Sequence, residues 1–243
     1  MQLLYNLIDE KAVQEGVKVF EVSEDVFKKV SYRQGPDGVL AVVKNHYHHY
    51  HRGASDITDV DVQLQISSSQ HHMSLSKHAP FFLIVQGIEK PGNLGALFRN
   101  VDFFGGSGVL ICDPVCEVFN PNVIRASQGS AFSVPFAVTS SSQALQYMES
   151  KGITPYITVT SKTQNEAKDN VRSLYDMKLT ENIGIIMGSE AYGVSEAFLN
   201  DPRCTKFLTI PKNSHSTAVD SLNVSTATAA ILSEMVRQRL YKS

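Results

Sequence analysis

The run Phe81-Phe82-Leu83-Ile84-Val85, followed by Pro91-Gly92-Asn93-Leu94-Gly95-Ala96-Leu97-Phe98-Arg99-Asn100, decides the fold of this chain. A strand with one wet face alternates apolar and polar residues, so an unbroken apolar run fits a strand covered on both faces. A loop bounded by glycine and proline comes next, and then Leu97, Val101 and Phe104 recur at helical spacing. Gly105-Gly106-Ser107-Gly108 ends that helix, and Val109-Leu110-Ile111-Cys112 reads as a second buried strand. The cycle repeats with a helix near Asn122 to Gln128, a strand near Val134, a helix from Ser142 to Ser150 and a strand from Ile153 to Val159. Ile183 to Met187 and Lys206 to Ile210 read as further strands. A last helix is expected from about Leu222 to Leu240, with Val224, Ala227, Ala230, Ile231, Met235 and Val236 near one stripe. This alternation predicts an α/β fold, a mostly parallel sheet with helices on both faces.

Upstream the pattern is weaker. From Leu3 to Val43 the sequence suggests a short helix, a strand around Val17 to Val22, a second helix and a strand from Val39 to Val43. Ser23 with Glu24 and Asp25 offers a cap and acidic first turn for the second helix, and Gly35-Pro36-Asp37-Gly38 has turn chemistry. Residues 1–45 are too few for a self-sufficient domain. Residues 46–79 are polar and read as a linker, leaving 80–243 for the main domain. Of the eight histidines, all but His215 lie between His46 and His78. No carboxylate or cysteine there has ligand spacing, so the tract reads as solvated linker and no metal is expected.

Composition sets further bounds. A chain of 243 residues with a hydrophobic share of 42% can bury a real core. No apolar stretch reaches the ~18 residues a membrane span needs, so no membrane partner is expected, and the first residues lack a secretion signal. Cys112, Cys116 and Cys204 cannot all pair, which suits a reducing, cytoplasmic setting; the close pair Cys112 and Cys116 reads as small buried thiols. A formal charge of −2 announces no global field for nucleic acid. Arg237, Arg239 and Lys242 suit the negative end of the last helix, and could equally meet a polyanion.

Three segments carry the chemistry, each at the carboxyl end of an expected strand, where open parallel sheets bind ligands. In the first, Asn93 lies at a helix start, as a cap or a ligand contact. Arg99, six residues on, has the guanidinium to hold phosphate or stabilise negative charge. In the second, Met187-Gly188-Ser189-Glu190-Ala191-Tyr192-Gly193, glycines allow close backbone approach and Glu190 accepts hydrogen bonds. In the third, Leu208-Thr209-Ile210-Pro211 leads through a polar stretch to Ser221-Leu222-Asn223-Val224-Ser225, where Ser221 and Asn223 can cap the last helix. No Gly-x-Gly-x-x-Gly fingerprint and no phosphate-loop lysine is present, which argues against an oxidoreductase or kinase.

These segments resemble motifs 1, 2 and 3 of the SpoU (TrmH-type) RNA 2′-O-ribose methyltransferases of the SPOUT superfamily, over the chain from Pro80 onward. The N-terminal piece is similar to the last part of the L30e-like substrate-binding domain, with its first half missing. The resemblance implies S-adenosyl-L-methionine bound in a C-terminal trefoil knot, a homodimer, and RNA as substrate, with the L30e likeness favouring rRNA over tRNA. It implies that Met187, Gly188, Gly193, Ile210, Leu222 and Asn223 line the cofactor pocket. It assigns Asn93, Arg99, Glu190, Ser221 and Asn223 to the functional polar positions. A guanidinium holds its proton too firmly to make a good base. Arg99 is therefore expected to hold a neighbouring phosphate and stabilise alkoxide character on the 2′-OH. One departure is the stretch from Lys212 to Asp220, longer than the family's turn and without glycine. It motivates an alternative, a catalytically silent RNA-binding relative with impaired cofactor binding.

Overall fold

The computed structural model describes residues 18–31, 38–43, 79–160, 170–213, 215 and 218–241, in two compact units, Met1–His49 and Tyr50–Ser243. In the first unit the expected helix is present as α1 (Glu24–Val30). Ser23 occupies its cap position without a side-chain cap bond, and Lys28 pairs with Glu24 at 2.6 Å. The strands expected at 17–22 and 39–43 are not formed over their described residues, 18–22 and 39–43. Val19, Phe20, Val42 and Val43 are exposed, and no partner strand lies beside them among the described residues, so β-branched composition alone does not make a ladder. The helix expected from Leu3, the turn at 35–37, and the histidine-rich linker but for its last residue lie outside the described residues.

The second unit is built on one parallel sheet. Its elements are β1 (Phe81–Gln86), α2 (Pro91–Phe103), β2 (Gly108–Cys112), α3 (Pro121–Ser127), α4 (Ser130–Ser133) and β3 (Phe136–Thr139). Then come α5 (Ser141–Ser150), β4 (Thr154–Thr158), β5 (Val171–Ser173), a 3-10 turn Leu174–Asp176, β6 (Ile183–Met187), α6 (Glu196–Leu199), β7 (Lys206–Thr209) and α7 (Val224–Leu240). The strand order is β3-β2-β1-β6-β4-β7-β5, and every pairing is parallel. β1 lies between β2 and β6, with Leu83 opposite Val109 on one side and Ile185 on the other. All six of its residues are buried.

Local chemistry explains the boundaries. Pro91 at the first turn sets the start of α2, and places Asn93 inside that turn, so Asn93 is not its cap. At the other end Gly106 N–H reaches Val101 O at 2.8 Å and Gly105 N–H reaches Asp102 O at 3.1 Å. With Gly105 at φ +70°, this is the Schellman closure that the glycine run suggested. Gly95 lets α2 lie against α3, because a Cβ there would sit 2.4 Å from Val123 O. Asn223 caps α7, its side chain accepting from Ser225 N–H at 3.0 Å; Ser221 lies outside that cap. β5, the 3-10 turn, α4 and α6 were not expected, being short and mostly polar or half-buried.

Burial pushes the thiol pKa of Cys112 and Cys116 up, and that of Cys204 up to about 12, and all three are free and buried. Among the described residues no helix is long and apolar enough to cross a membrane.

Helix α7 is held at its far end by Arg239, which is buried. Its guanidinium donates to Leu179 O at 3.1 Å, to Glu181 O at 2.7 Å and to Ala79 O, and stands over the Phe81 ring. Gln238 adds bonds to Leu179 N–H and Met177 O at 2.8 and 2.9 Å. One turn earlier, Arg237 and Gln238 hold the Glu234 carboxyl down at about 2. Removing a buried donor strands its acceptors. Arg239→Met is therefore expected to lower unfolding stability by about 3 kcal/mol, measured by urea titration, with Arg239→Lys recovering only part because it lacks the fork.

Candidate active site

The loops after β1, β6 and β7 meet at the carboxyl end of the sheet. Asn93, in the first turn of α2, donates through Nδ2 to Glu190 Oε1. Asn223 donates to the same oxygen at 3.1 Å and to Asn93 Oδ1 at 3.1 Å. Three side chains from three distant segments thus close a ring of hydrogen bonds. Lys90 binds the other Glu190 oxygen, and that contact with the carboxylate raises the pKa of its ammonium. Asn223 Oδ1 also accepts from Ser225 Oγ at 2.6 Å, and Asn100, two turns along α2, donates to Ser225 O at 2.8 Å. Each polar atom of the cluster holds the next, which fixes rotamers before any ligand arrives.

The loop carrying Glu190 is tightly closed. Ser189 N–H donates to Gly193 O at 2.9 Å and Gly193 N–H to Ser189 O at 3.0 Å, with Gly193 at φ +70°. A Cβ on Gly188 would lie 2.1 Å from Gly193 C, so no other residue fits there. Met187 is buried at the end of β6, Ile210 is half-buried, and Leu222 is 51% exposed beside the cluster's own Asn223. The long stretch after Pro211 is drawn together by Lys212 Nζ, which donates to Val219 O.

Of the predicted polar positions, the structure gathers Asn93, Glu190 and Asn223. It does not gather Arg99 or Ser221. Both are exposed, and Arg99 lies about 9 Å along α2 from Asn93 and some 120° around it. Lys90 and Ser225 were missed by sequence reasoning. The signal for Lys90 was electrostatic: a cation at a helix start opposes the helix dipole unless an anion answers it, and Glu190 does.

Gln86 was missed too. It ends an otherwise apolar strand and is 7% exposed. Its Nε2 lies 2.8 Å from Asp113 Oδ2, 3.0 Å from Ser141 Oγ and 2.8 Å from Ser195 Oγ, and its Oε1 accepts from Ser195 N–H at 2.9 Å. This amide ties the end of the Glu190 loop to the strand beside it. Among the described residues no group of His, Cys, Asp and Glu could hold a metal ion.

A parallel sheet with a preorganised polar cluster beyond its strand ends defines a ligand-binding α/β protein. Comparison narrows the class. The model of the SpoU rRNA methylase family matches residues 80–233, more than half of the chain, and the chain belongs to that family. An MRM3-like substrate binding domain model matches residues 3–41. The 23S rRNA (guanosine-2′-O-)-methyltransferase RlmB of Vibrio vulnificus is 34% identical over 168 residues, 68% of this chain and 63% of its own length. The structure of the SpoU methyltransferase AviRb from Streptomyces viridochromogenes aligns with TM-score 0.58 and 26% identity, covering 68% of this chain and 62% of that one. AviRb in complex with AdoMet shares the fold, with TM-score 0.59 and 24% identity over 69% and 61% of the two chains. The chain spans about three fifths of the length of several curated relatives it matches.

Gln86→Leu leaves the Ser195 N–H without its acceptor and takes one of two donors from Asp113, which keeps Ser141 Oγ. It is expected to cost about 2 kcal/mol and to speed amide hydrogen exchange in residues 189–195 well beyond that of the sheet, read by mass spectrometry.

Proposed function

We propose that this protein is an RNA 2′-O-ribose methyltransferase that uses S-adenosyl-L-methionine and acts on structured RNA, rRNA in preference to tRNA. The observation that carries the reading is the ring of Asn93, Glu190 and Asn223 in a chain of the SpoU family. The activity named for the Vibrio relative, 2′-O-methylation of 23S rRNA, and the substrate-binding match at 3–41 support rRNA.

When bound, the cofactor supplies an electrophilic methyl group on a sulfonium. Met187, Gly188, Gly193, Ile210, Leu222 and Asn223 would hold it. The fit rests on the tight glycine turn, which lets backbone approach a ligand closely, and on Leu222, whose exposed apolar surface suits a purine face. Asn93, Glu190 and Asn223 keep a fixed polar wall against which the reacting ribose is positioned. Arg99 extends from the exposed face of α2 to hold a neighbouring phosphate and to stabilise negative charge developing on the 2′ oxygen. Ser221 completes the polar set when RNA is present. The 2′-OH selects RNA over DNA. The proposal includes the homodimer and trefoil knot of the family. It also includes residues 1–45 as an RNA-binding piece, 46–79 as linker, 80–243 as catalytic domain, and a cytoplasmic site of action. The joined polar ring and the Lys212 bridge give the catalytically silent alternative no support.

Calorimetric titration with S-adenosylhomocysteine tests the reading. Micromolar binding is expected, weakened at least tenfold by Asn223→Ala; no binding by the unsubstituted protein would refute it. With an unmodified 23S rRNA transcript as acceptor, Arg99→Lys is expected to lower turnover on the order of a hundredfold while leaving S-adenosylhomocysteine affinity unchanged. Near-normal turnover by that variant would remove the role given to the guanidinium fork.

A further inference from the structure

Tyr192 is the most exposed aromatic side chain among the described residues, at 85% of its full surface. A single exposed apolar residue is ordinary, but this one stands on an unusual mount. Its backbone N–H donates to Ser189 Oγ at 3.0 Å, inside the turn that Ser189 and Gly193 close from both sides. Gly188 packs against Gly193 and Val194 with no room for a Cβ, and Gln86 fixes Ser195 two residues beyond Gly193. The backbone beneath the ring is therefore held by hydrogen bonds before and after it, while the ring itself is almost wholly in solvent. Such a ring loses little conformational freedom when it is covered, since its mount is already ordered.

Its surroundings select the chemistry of what covers it. Two residues earlier lies Glu190, joined to Asn93 and Asn223, and paired with the cation of Lys90. Tyr192 itself brings neither a carboxylate nor a cation to this rim. What it offers is a flat π face at the rim of a polar site. Nucleobases have such faces whatever their sequence, and aromatic side chains at the edge of a nucleic-acid site bind them by stacking.

We propose that Tyr192 is a stacking platform for an unpaired nucleobase of the RNA, seating the strand so that a ribose reaches the Asn93, Glu190 and Asn223 cluster. This rests on the methyltransferase reading above for the identity of the strand. It concerns substrate placement, and assigns Tyr192 no part in moving the methyl group or a proton.

The chain contains no tryptophan, so Tyr192→Trp introduces a single indole whose emission reports on that position alone. The probes are a single-stranded oligoadenylate of a dozen nucleotides and, as a polyanion without bases, inorganic polyphosphate of similar charge. Saturable quenching by oligoadenylate and none by polyphosphate is expected. Tyr192→Ala should weaken oligoadenylate binding on the order of tenfold, and Tyr192→Phe should keep it. The melting temperature and S-adenosylhomocysteine affinity of Tyr192→Ala should match those of the unsubstituted protein, because the ring touches little of its own chain. Equal quenching by both probes, or none by either, overturns the stacking role. So does a fall in sedimenting mass on Tyr192→Ala, which would place the ring in a contact between two copies. Selective quenching in a protein that fails to bind S-adenosylhomocysteine would keep the platform and remove the methyl-transfer reading.

Discussion

A strand with no wet face needs neighbours on both edges and layers above and below. β1, from Phe81 to Gln86, is buried throughout, and β2 and β6 lie along its two edges. That placement matters because the chain leaves β1 toward β2 and returns more than seventy residues later to add β6 on the other side. At such a reversal the loops beyond the strand ends diverge and leave a crevice. The Asn93 helix leaves from β1 and the Glu190 loop from β6, so burial of one strand brings the two walls of the site together.

Within the crevice, charge is balanced locally. The Glu190 carboxylate takes two amide donors and one ammonium, and the ammonium would be poorly placed at a helix start without it. A second and deeper network, centred on the Gln86 amide, fixes the other end of the same loop. The outer cluster is half open to solvent; the inner one, around the buried Gln86 amide, is closed.

How much of this was legible in the sequence depends on the kind of signal. Buried strands such as Phe81–Gln86 and Ile183–Met187 announce themselves by continuous apolar composition, and the Gly105-Gly106 stop by backbone chemistry. β5 is three residues long, with an arginine at its centre, and exists because β7 offers it a ladder; nothing local specifies it. The converse failure occurred at residues 18–22 and 39–43, where composition favoured strands and no described partner was there to pair with. At the site, Asn93, Glu190 and Asn223 were readable as motif positions. Gln86 and Lys90 were not, because their roles come from partners between 27 and 109 residues away in sequence. Asn93 was expected as a possible cap, and Pro91 moved the helix start two residues ahead of it.

Helix α7 joins two jobs that are usually separate. Its first residues complete the polar ring through Asn223 and Ser225, and its last turn is pinned by Arg239, a rod about 25 Å long between them. Every other member of the ring precedes this helix in the chain. A ribosome making this protein therefore delivers Lys90, Asn93 and Glu190 well before the residue that locks them. Until Asn223 emerges, the growing polypeptide has a nearly assembled sheet and an unfinished pocket, and the helix that finishes the pocket is also the one whose last turn ties down the backbone entering the two central strands.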